Sequence, residues 1–196
     1  MRISILLAHP NPQSFNHAIA NTIAESLRSR GDEVLFHDLY AEHFDPNLPT
    51  PELGRTEDLP PEIRRHCDEI LSVDGIVVVH PNWWAMPPAI LKGWADRVLR
   101  AGVVYAFRSN AKGEGEVVGL LKAKAALVIH TSNTPLELDR ALYGDPLDNL
   151  WRTCIFGFCG VKNVRRELFA PIITSTLEQR QAWLRQSSQE ALELFQ

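Results

Sequence analysis

Short, nearly continuous apolar runs alternate along the chain with segments whose apolar residues recur at helical spacing. The apolar runs predict five strands, at residues 3–8, 33–38, 75–79, 124–130 and, more weakly, 161–169. Helical spacing predicts helices at residues 18–27, 62–71, 91–98, 145–160 and 177–195. Strands that are apolar throughout, rather than at every second residue, imply a parallel sheet covered on both faces. The pattern therefore predicts an α/β protein with an open, doubly wound sheet of five parallel strands.

A single domain spanning residues 1–196 is expected, because the sequence shows no internal repeat and no separating linker. Asp145 and Pro146 predict the start of the fourth helix, since Asp can cap a helix and Pro suits its first position. That helix is expected to end at Gly160. The glycines at positions 113, 115 and 119 predict a flexible loop before the fourth strand.

Charge and cysteine usage exclude several classes of protein. A net charge of −4 without basic clusters argues against nucleic-acid binding. No apolar run is long enough for a membrane span and no leader precedes the first strand, so a cytoplasmic protein without membrane insertion is expected. Cys67, Cys154 and Cys159 match no zinc or disulfide pattern, and we expect them to be small buried residues.

Three similar segments follow strands one, three and four: HPNPQSFN, HPNWWAMPP and HTSNTP. In the strand order 2-1-3-4-5, these segments meet at the carboxyl edge of the sheet, where open α/β sheets bind ligands. All three are rich in Asn, Ser, Thr, Pro and aromatic residues and poor in charge. This composition favours a flat aromatic ligand with polar edges. The first segment contains neither a P-loop nor a GxGxxG motif.

Several candidate residues also have an ordinary structural explanation. Ser14 either caps the first helix or, with Asn16 and the free backbone amides, holds an anion. Trp83 and Trp84 suit stacking on a planar ring. Alternatively, one or both of them are ordinary core or dimer-contact residues. Trp94, at helical spacing, is expected in the core.

The histidines raise the question of a metal. His9, His80 and His130 each end a predicted strand, and neighbouring strands lie roughly 4.8 Å apart. Such a row offers imidazole ligands, but the rings need not point the same way, and we expect no metal. The other histidines, at positions 17, 37, 43 and 66, are expected at the surface or with satisfied hydrogen bonds.

Several stretches resemble the NAD(P)H quinone dehydrogenase family of the DT-diaphorase and modulator-of-drug-activity type. They are AHPNPQSFNHAIA, DLYAEHFDP, PPAILKGWADRVLRAGVVYAF, YGDPLDNLW and CGV, of which AILKGWADRVL is the most specific. The resemblance implies a flavodoxin-like fold, a bound flavin that is either FAD or FMN, and NAD(P)H as co-substrate. It also implies a homodimer, whose apolar contact would draw on Trp83, Trp84, Tyr105, Phe107 and Trp151.

The resemblance implies specific roles for residues of the three segments. The flavin phosphate portion would be held by His9, Ser14, Phe15 and Asn16. The ring would lie along Pro81, Asn82, Trp83 and Trp84, with Thr131, Ser132 and Asn133 at its other edge. Trp84 would also wall the cavity in which nicotinamide or quinone stacks. The sequence departs from the family at Thr131 to Asn133, where threonines and glycines are usual, and at Tyr143, where a histidine that stabilises charge on the reduced flavin is usual.

The activity implied is a hydride shuttle in two halves, from NAD(P)H to the flavin and then to a quinone or similar small-molecule acceptor. Trp84 and Tyr143 are the candidate catalytic residues. Tyr143 can donate a hydrogen bond but cannot become cationic. Two alternatives remain: a one-electron flavodoxin-type carrier, and a regulatory subunit of an ion-efflux system.

Overall fold

Five parallel strands form the central sheet of the computed structural model, which describes residues 1–54, 58–109 and 113–196. They are β1 (Arg2–Leu7), β2 (Glu33–Asp38), β3 (Gly75–Pro81), β6 (Ala125–Thr131) and β7 (Asn163–Phe169), in the order β2-β1-β3-β6-β7. Two more strands, β4 (Tyr105–Ser109) and β5 (Gly115–Gly119), form a separate antiparallel pair. The predicted α/β class and the predicted order of the five sheet strands are confirmed.

Helices connect the strands. They are α1 (Phe15–Arg30), α2 (Pro61–Ser72), α3 (Ala89–Val98), α4 (Leu136–Tyr143), α5 (Pro146–Asp148) and α6 (Leu177–Leu194). A short 3-10 turn spans Thr50–Glu52, and α5 continues as a π-helical segment, Asn149–Gly157. Within the described parts of the chain, no helix has both the length and the apolar character needed to cross a membrane.

The sheet separates two apolar layers. Ile3, Ile5 and Leu7 of β1 face the layer that contains α1 and α6, whereas Leu6 faces the layer of α2, α3 and the π-helical segment. β3 and β6 are buried along their whole lengths. Burial on both faces explains why residues 76–79 and 125–129 are apolar at consecutive positions rather than at alternate ones.

The segment between β3 and β6 differs from the sequence prediction. Gly115 and Gly119 lie in β5, so the expectation of a flexible loop was wrong for both residues. A Cβ at Gly119 would lie 2.2 Å from the backbone nitrogen of Gly160. The glycine there permits a close approach of two backbones, which sequence spacing alone does not reveal. The short helix α4 was also missed.

Asp145 does not cap α5, although Pro146 begins that helix as predicted. Asp145 has a φ of 53° and makes no capping hydrogen bond. Its carboxylate instead pairs with the buried guanidinium of Arg166. The expectation for the cysteines was wrong at one position: Cys67 and Cys159 are buried, but Cys154 is exposed.

Candidate functional site

The loops that follow β1, β3 and β6 meet at the carboxyl edge of the sheet and line a cavity of about 380 Å³. We call it the first cavity. The backbone amide of Asn82 donates to the backbone carbonyl of Thr131 at 2.7 Å, and this bond connects two of the loops. The cavity is lined by the predicted residues His9, Ser14, Phe15, Asn16, Pro81, Asn82, Trp83, Thr131, Ser132 and Asn133, and also by Gln13, Ile172 and Arg180. The structure thus brings together residues that were selected from three separate segments.

A second cavity, of about 430 Å³, adjoins the first and shares Asn82, Ser132 and Asn133 with it. The remaining residues that line it are Trp84, Ala85, Thr134, Asp139 and Tyr143. Trp84 and Tyr143, the two candidate catalytic residues, therefore line the same cavity. Every site residue predicted from the sequence lines one cavity or the other.

A tight turn places Trp84 at the mouth of the site. Trp83 and Met86 exchange two backbone hydrogen bonds of 3.0 Å, and the central residues Trp84 and Ala85 have φ values of 56° and 59°. Positive φ at both central positions defines a turn that normally contains Asn and Gly. Strain of this kind concentrates at functional sites, where it forms part of a binding surface. Trp84 is 98% exposed in the single chain, so none of the described residues covers its indole.

The amino terminus of α1 faces the first cavity. Ser14 caps α1, because its hydroxyl accepts a hydrogen bond from the His17 amide at 3.3 Å. Ser14 therefore caps α1, as one of the two expectations for it stated, and it also lines the first cavity. Arg180 of α6 lies over the Phe15 ring at 5.9 Å and lines the same cavity. A helix amino terminus beside a guanidinium is a favourable place for an anionic group.

Two asparagines in the first cavity differ in their hydrogen bonding. The Asn16 side-chain amide donates to the Thr131 hydroxyl at 3.0 Å, so Asn16 holds the first and third loops together. In contrast, Oδ1 of Asn82 is buried and accepts no hydrogen bond from the part of the chain that the structure describes. A buried acceptor without a donor is unfavourable. Asn82 thus offers an acceptor to any ligand N–H that enters the cavity.

A pair of neutral histidines supports the loops from behind. The rings of His80 and His130 stack with centroids 5.7 Å apart. His80 Nδ1–H donates to the Pro81 carbonyl at 2.8 Å, and His80 Nε2 accepts from the Trp151 indole at 3.0 Å. Burial lowers the pKa of His80 to about 4, with a smaller opposing effect from the Pro81 carbonyl. Burial, aided by His80 and Arg166, also holds the pKa of His130 well below its ordinary value. Both rings are therefore uncharged at neutral pH.

Arg166 is the one buried cation that contacts this pair within the described residues. It donates to His130 Nε2 at 3.1 Å, and its charge is balanced by Asp145 and Asp148. Burial raises the pKa of Asp148, but hydrogen bonding and charge from Arg166 outweigh this effect, so the pKa lies below its ordinary value. The charges behind the loops are thus paired, and the surface that faces the cavities consists mainly of neutral groups.

The histidine row suggested by the strand ends does not form a metal-ligand group. His80 and His130 stack and have their Nε2 atoms engaged, while His9 lines the first cavity with its pKa lowered by burial. The expectation for the remaining histidines was wrong for two of them. His37 and His66 are buried, and the Nε2 atoms of both lack hydrogen-bond partners.

Sequence reasoning missed three residues of the site. Arg180 and Arg166 lie on α6 and β7, far along the chain from the loops that they support, and no local motif marks them. Asp139 lies on the unpredicted helix α4 and lines the second cavity. Burial, followed by the charge of Asp145, raises the pKa of Asp139.

An open parallel sheet with a polar, aromatic cavity at its carboxyl edge defines a ligand-binding protein of the doubly wound α/β class. The chain belongs to the flavodoxin-like fold family, whose model matches residues 1–194.

Named relatives agree with this assignment. A Haemophilus influenzae protein named as an uncharacterized NAD(P)H oxidoreductase is 36% identical over 190 residues, covering 95% of this chain and 92% of the relative. Rat NAD(P)H dehydrogenase [quinone] 1 is 30% identical over 190 residues, covering 85% of this chain and 68% of the relative. Among solved structures, the NAD(P)H:quinone oxidoreductase of Methanothermobacter marburgensis superimposes with a TM-score of 0.80 at 25% identity, covering 98% of this chain and 97% of that one.

Proposed function

We propose that the whole chain, residues 1–196, forms one flavin-binding unit that oxidises NAD(P)H and reduces a quinone or similar acceptor. The observation that carries this proposal is the pair of adjoining cavities, which share one wall. The first suits a cofactor, and the second leaves room for a planar substrate beside it. The bound flavin would supply the redox chemistry, accepting a hydride from the nicotinamide and passing it to the acceptor.

The residues of the first cavity fit a flavin. Ser14, the amino terminus of α1 and Arg180 would hold its phosphate, since they combine free amides with a fixed positive charge. The unpartnered Oδ1 of Asn82 would accept a hydrogen bond from a ring N–H. Trp83 and Pro81 contribute apolar surface for the ring. Both FMN and FAD meet these requirements.

The second cavity would bind nicotinamide and quinone in turn. Trp84 presents an indole face for stacking, and two backbone hydrogen bonds between Trp83 and Met86 fix the backbone that carries it. Tyr143 lines the same cavity, is 59% exposed, and would donate a hydrogen bond to the substrate or to the cofactor edge. Since aromatic walls and hydrogen bonds suffice, no charged catalytic group is required.

A homodimer would complete the second cavity. Trp84 is 98% exposed and Phe107 is 72% exposed, and apolar side chains this accessible commonly mark an interface. Trp151 does not belong to such a contact, contrary to the sequence expectation, because it is buried inside the chain beside His80.

The proposed function is tested by anaerobic half-reactions. Protein loaded with flavin is mixed with NADH or NADPH in a stopped-flow spectrometer, and a quinone is added after the flavin absorbance has bleached. We expect bleaching by at least one nucleotide and full recovery of the absorbance with one quinone per flavin. A flavin that binds but is bleached by neither nucleotide would exclude the proposed activity and leave a carrier or regulatory role.

A further inference from the structure

A cluster of two histidines and two glutamates lies outside both cavities, on the edge of the sheet. His37 lies near the carboxyl end of β2, and Glu42 lies in the turn that follows. His66 and Glu69 are three positions apart on α2 and hence on one face of the helix. We call these four residues the His–Glu cluster. None of the activity proposed above uses it.

Four buried polar atoms of the cluster have no hydrogen-bond partner among the described residues: Nε2 of His37, Nε2 of His66, Oε2 of Glu42 and Oε2 of Glu69. The side chains of His37 and His66 are only 5% and 1% exposed. His37 Nε2 lies 2.8 Å from Glu69 Oε2, but the two groups are not aligned for a hydrogen bond. Such a concentration of unsatisfied atoms is unfavourable without a further partner.

The spacing of these atoms suits a metal ion. One ligand atom from each of His37, Glu42 and His66 falls within 4.8 Å of the other two. His66 Nε2 lies 3.7 Å from Glu42 Oε2. In a tetrahedral zinc site with bonds of about 2.0–2.1 Å, ligand atoms are about 3.3–3.4 Å apart. The distances from Glu42 to the two histidines, 2.9 Å from Oε1 to His37 Nδ1 and 3.7 Å from Oε2 to His66 Nε2, lie on either side of that value.

From this geometry we propose that the His–Glu cluster binds one divalent transition-metal ion, with Zn²⁺ the best match. His37, through Nδ1, His66 and Glu42 are its ligands, and Glu69 lies at the other ring nitrogen of His37, where it orients the ring. Two imidazoles with carboxylates form a donor set that Zn²⁺ accepts, whereas Ca²⁺ and Mg²⁺ prefer oxygen ligands alone.

The sulfur of Cys67, the next residue after His66, does not belong to the donor set. Its thiol donates to the Val98 carbonyl at 3.7 Å, and burial, the largest influence, raises its pKa to about 11. The sulfur is therefore directed toward the end of α3 and not toward the His–Glu cluster.

Trp94 imposes a condition on metal binding. Its indole N–H donates to Nδ1 of His66 at 3.3 Å, a long hydrogen bond. When a neutral imidazole binds a metal through Nε2, its proton resides on Nδ1. The bond to Trp94 must then open, so the Trp94 indole changes its environment when the ion binds. Metal loading should therefore be visible in the fluorescence of Trp94.

The ion would join two parts of the fold. It would link the carboxyl end of β2 and the following turn to α2, which also contacts α3. Since neither cavity contains these residues, the metal would be structural. It should stabilise the fold without being required for flavin binding.

The test is a Zn²⁺ titration of the full-length protein after chelation and removal of the chelator, followed by calorimetry. We expect one Zn²⁺ per chain and at least tenfold weaker binding to Glu42→Gln and His37→Gln. Asp68→Asn is the matched control, because it removes an exposed charge from the same helix, and it should bind like the wild type. Zn²⁺ should also raise the melting temperature of the wild type and of Asp68→Asn but not of Glu42→Gln.

A second measurement does not depend on the folding of the variants. After the absorption spectrum of the Zn²⁺-loaded protein is subtracted, the Co²⁺-loaded wild type should show the intense visible bands of four-coordinate Co²⁺. Its tryptophan fluorescence should also change on metal loading, and this change should be absent in Trp94→Phe. No Zn²⁺ binding by the wild type, equal binding by the wild type and Glu42→Gln, or a six-coordinate Co²⁺ spectrum would each overturn the proposal. Equal binding would mean that the ion sits elsewhere and that His37 shares a proton with the two carboxylates.

Discussion

A single side chain, Trp84, combines two features that a folded chain normally avoids. Its φ of 56° is unfavourable for a residue with a Cβ, at a cost of about 1–2 kcal/mol. Its indole is 98% exposed. Since neither feature stabilises the single chain, the side chain is best explained by what it contacts when a ligand or a second subunit is present.

Replacing Trp84 with Ala should therefore impair binding of substrate without affecting the fold. We expect KM for NAD(P)H or quinone to rise by about three- to tenfold, because aromatic stacking contributes about 0.5–1.5 kcal/mol. The melting temperature should stay within about 1 °C of the wild type, as for most exposed positions. Leu177→Ala removes another exposed apolar side chain, 74% accessible and outside both cavities, and serves as the control. Unchanged steady-state kinetics in Trp84→Ala would contradict its assignment.

Replacing Asn82 should lower the affinity for flavin without lowering the stability of the flavin-free protein. Asn82→Ala removes a buried acceptor that has no donor within residues 1–54, 58–109 and 113–196, so the flavin-free protein should be no less stable than the wild type. Flavin affinity should fall by about five- to tenfold, which corresponds to the loss of one neutral hydrogen bond. Fluorescence titration with FMN and FAD and urea unfolding measure the two quantities. A variant that loses stability but binds flavin normally would assign Asn82 a structural role.

At the scale of elements, the sequence was most informative where a strand is buried on both faces. β1, β3 and β6 could be predicted because every position in them is apolar or nearly so. The loops that follow them could be predicted because their compositions match. The hairpin of β4 and β5 was not predicted, because it lies outside the central sheet, is largely exposed and lacks that signal. α4, with only eight residues and one buried side chain, gave no clear helical stripe.

The residues that support the site from a distance could not be predicted. Arg180 and Arg166 reach the site only because α6 and β7 pack beside it. This packing joins residues that are distant along the chain, so a single sequence does not predict it. The cluster of His37, Glu42, His66 and Glu69 was missed for the same reason. Its members come from a strand, a turn and a helix, with no spacing that matches a known metal motif.

The packing of α3 depends on one glycine. A Cβ at Gly93 would lie 2.2 Å from the carbonyl oxygen of Pro46. Gly93→Ala should therefore lower the free energy of unfolding by about 1–3 kcal/mol or more, because the backbone of the Pro46 segment must move. Gly115→Ala is the matched control, since its Cβ would meet nothing within 4 Å. Urea unfolding compares the two variants, and equal stabilities would contradict the close contact.

For the whole molecule, burial divides the three thiols into two classes. Cys154 is exposed, whereas Cys67 and Cys159 are buried, and burial is the main reason that the pKa of each lies at about 11. Thiolates are the reactive species. In native protein at neutral pH, a thiol reagent such as Ellman's should therefore modify Cys154 rapidly and the other two only after denaturation. Rapid modification of all three thiols in the native state would be inconsistent with the two packed layers.

The central claim concerns the whole carboxyl edge of the sheet, where two adjoining cavities with aromatic and neutral polar walls are assigned to a flavin and its substrate. Titration of the purified protein with FMN and with FAD, followed by gel filtration and a visible spectrum, tests this claim most directly. We predict a yellow protein that retains one flavin per chain, with the flavin spectrum shifted from that of the free cofactor. A protein that emerges colourless after incubation with an excess of either flavin would contradict the account.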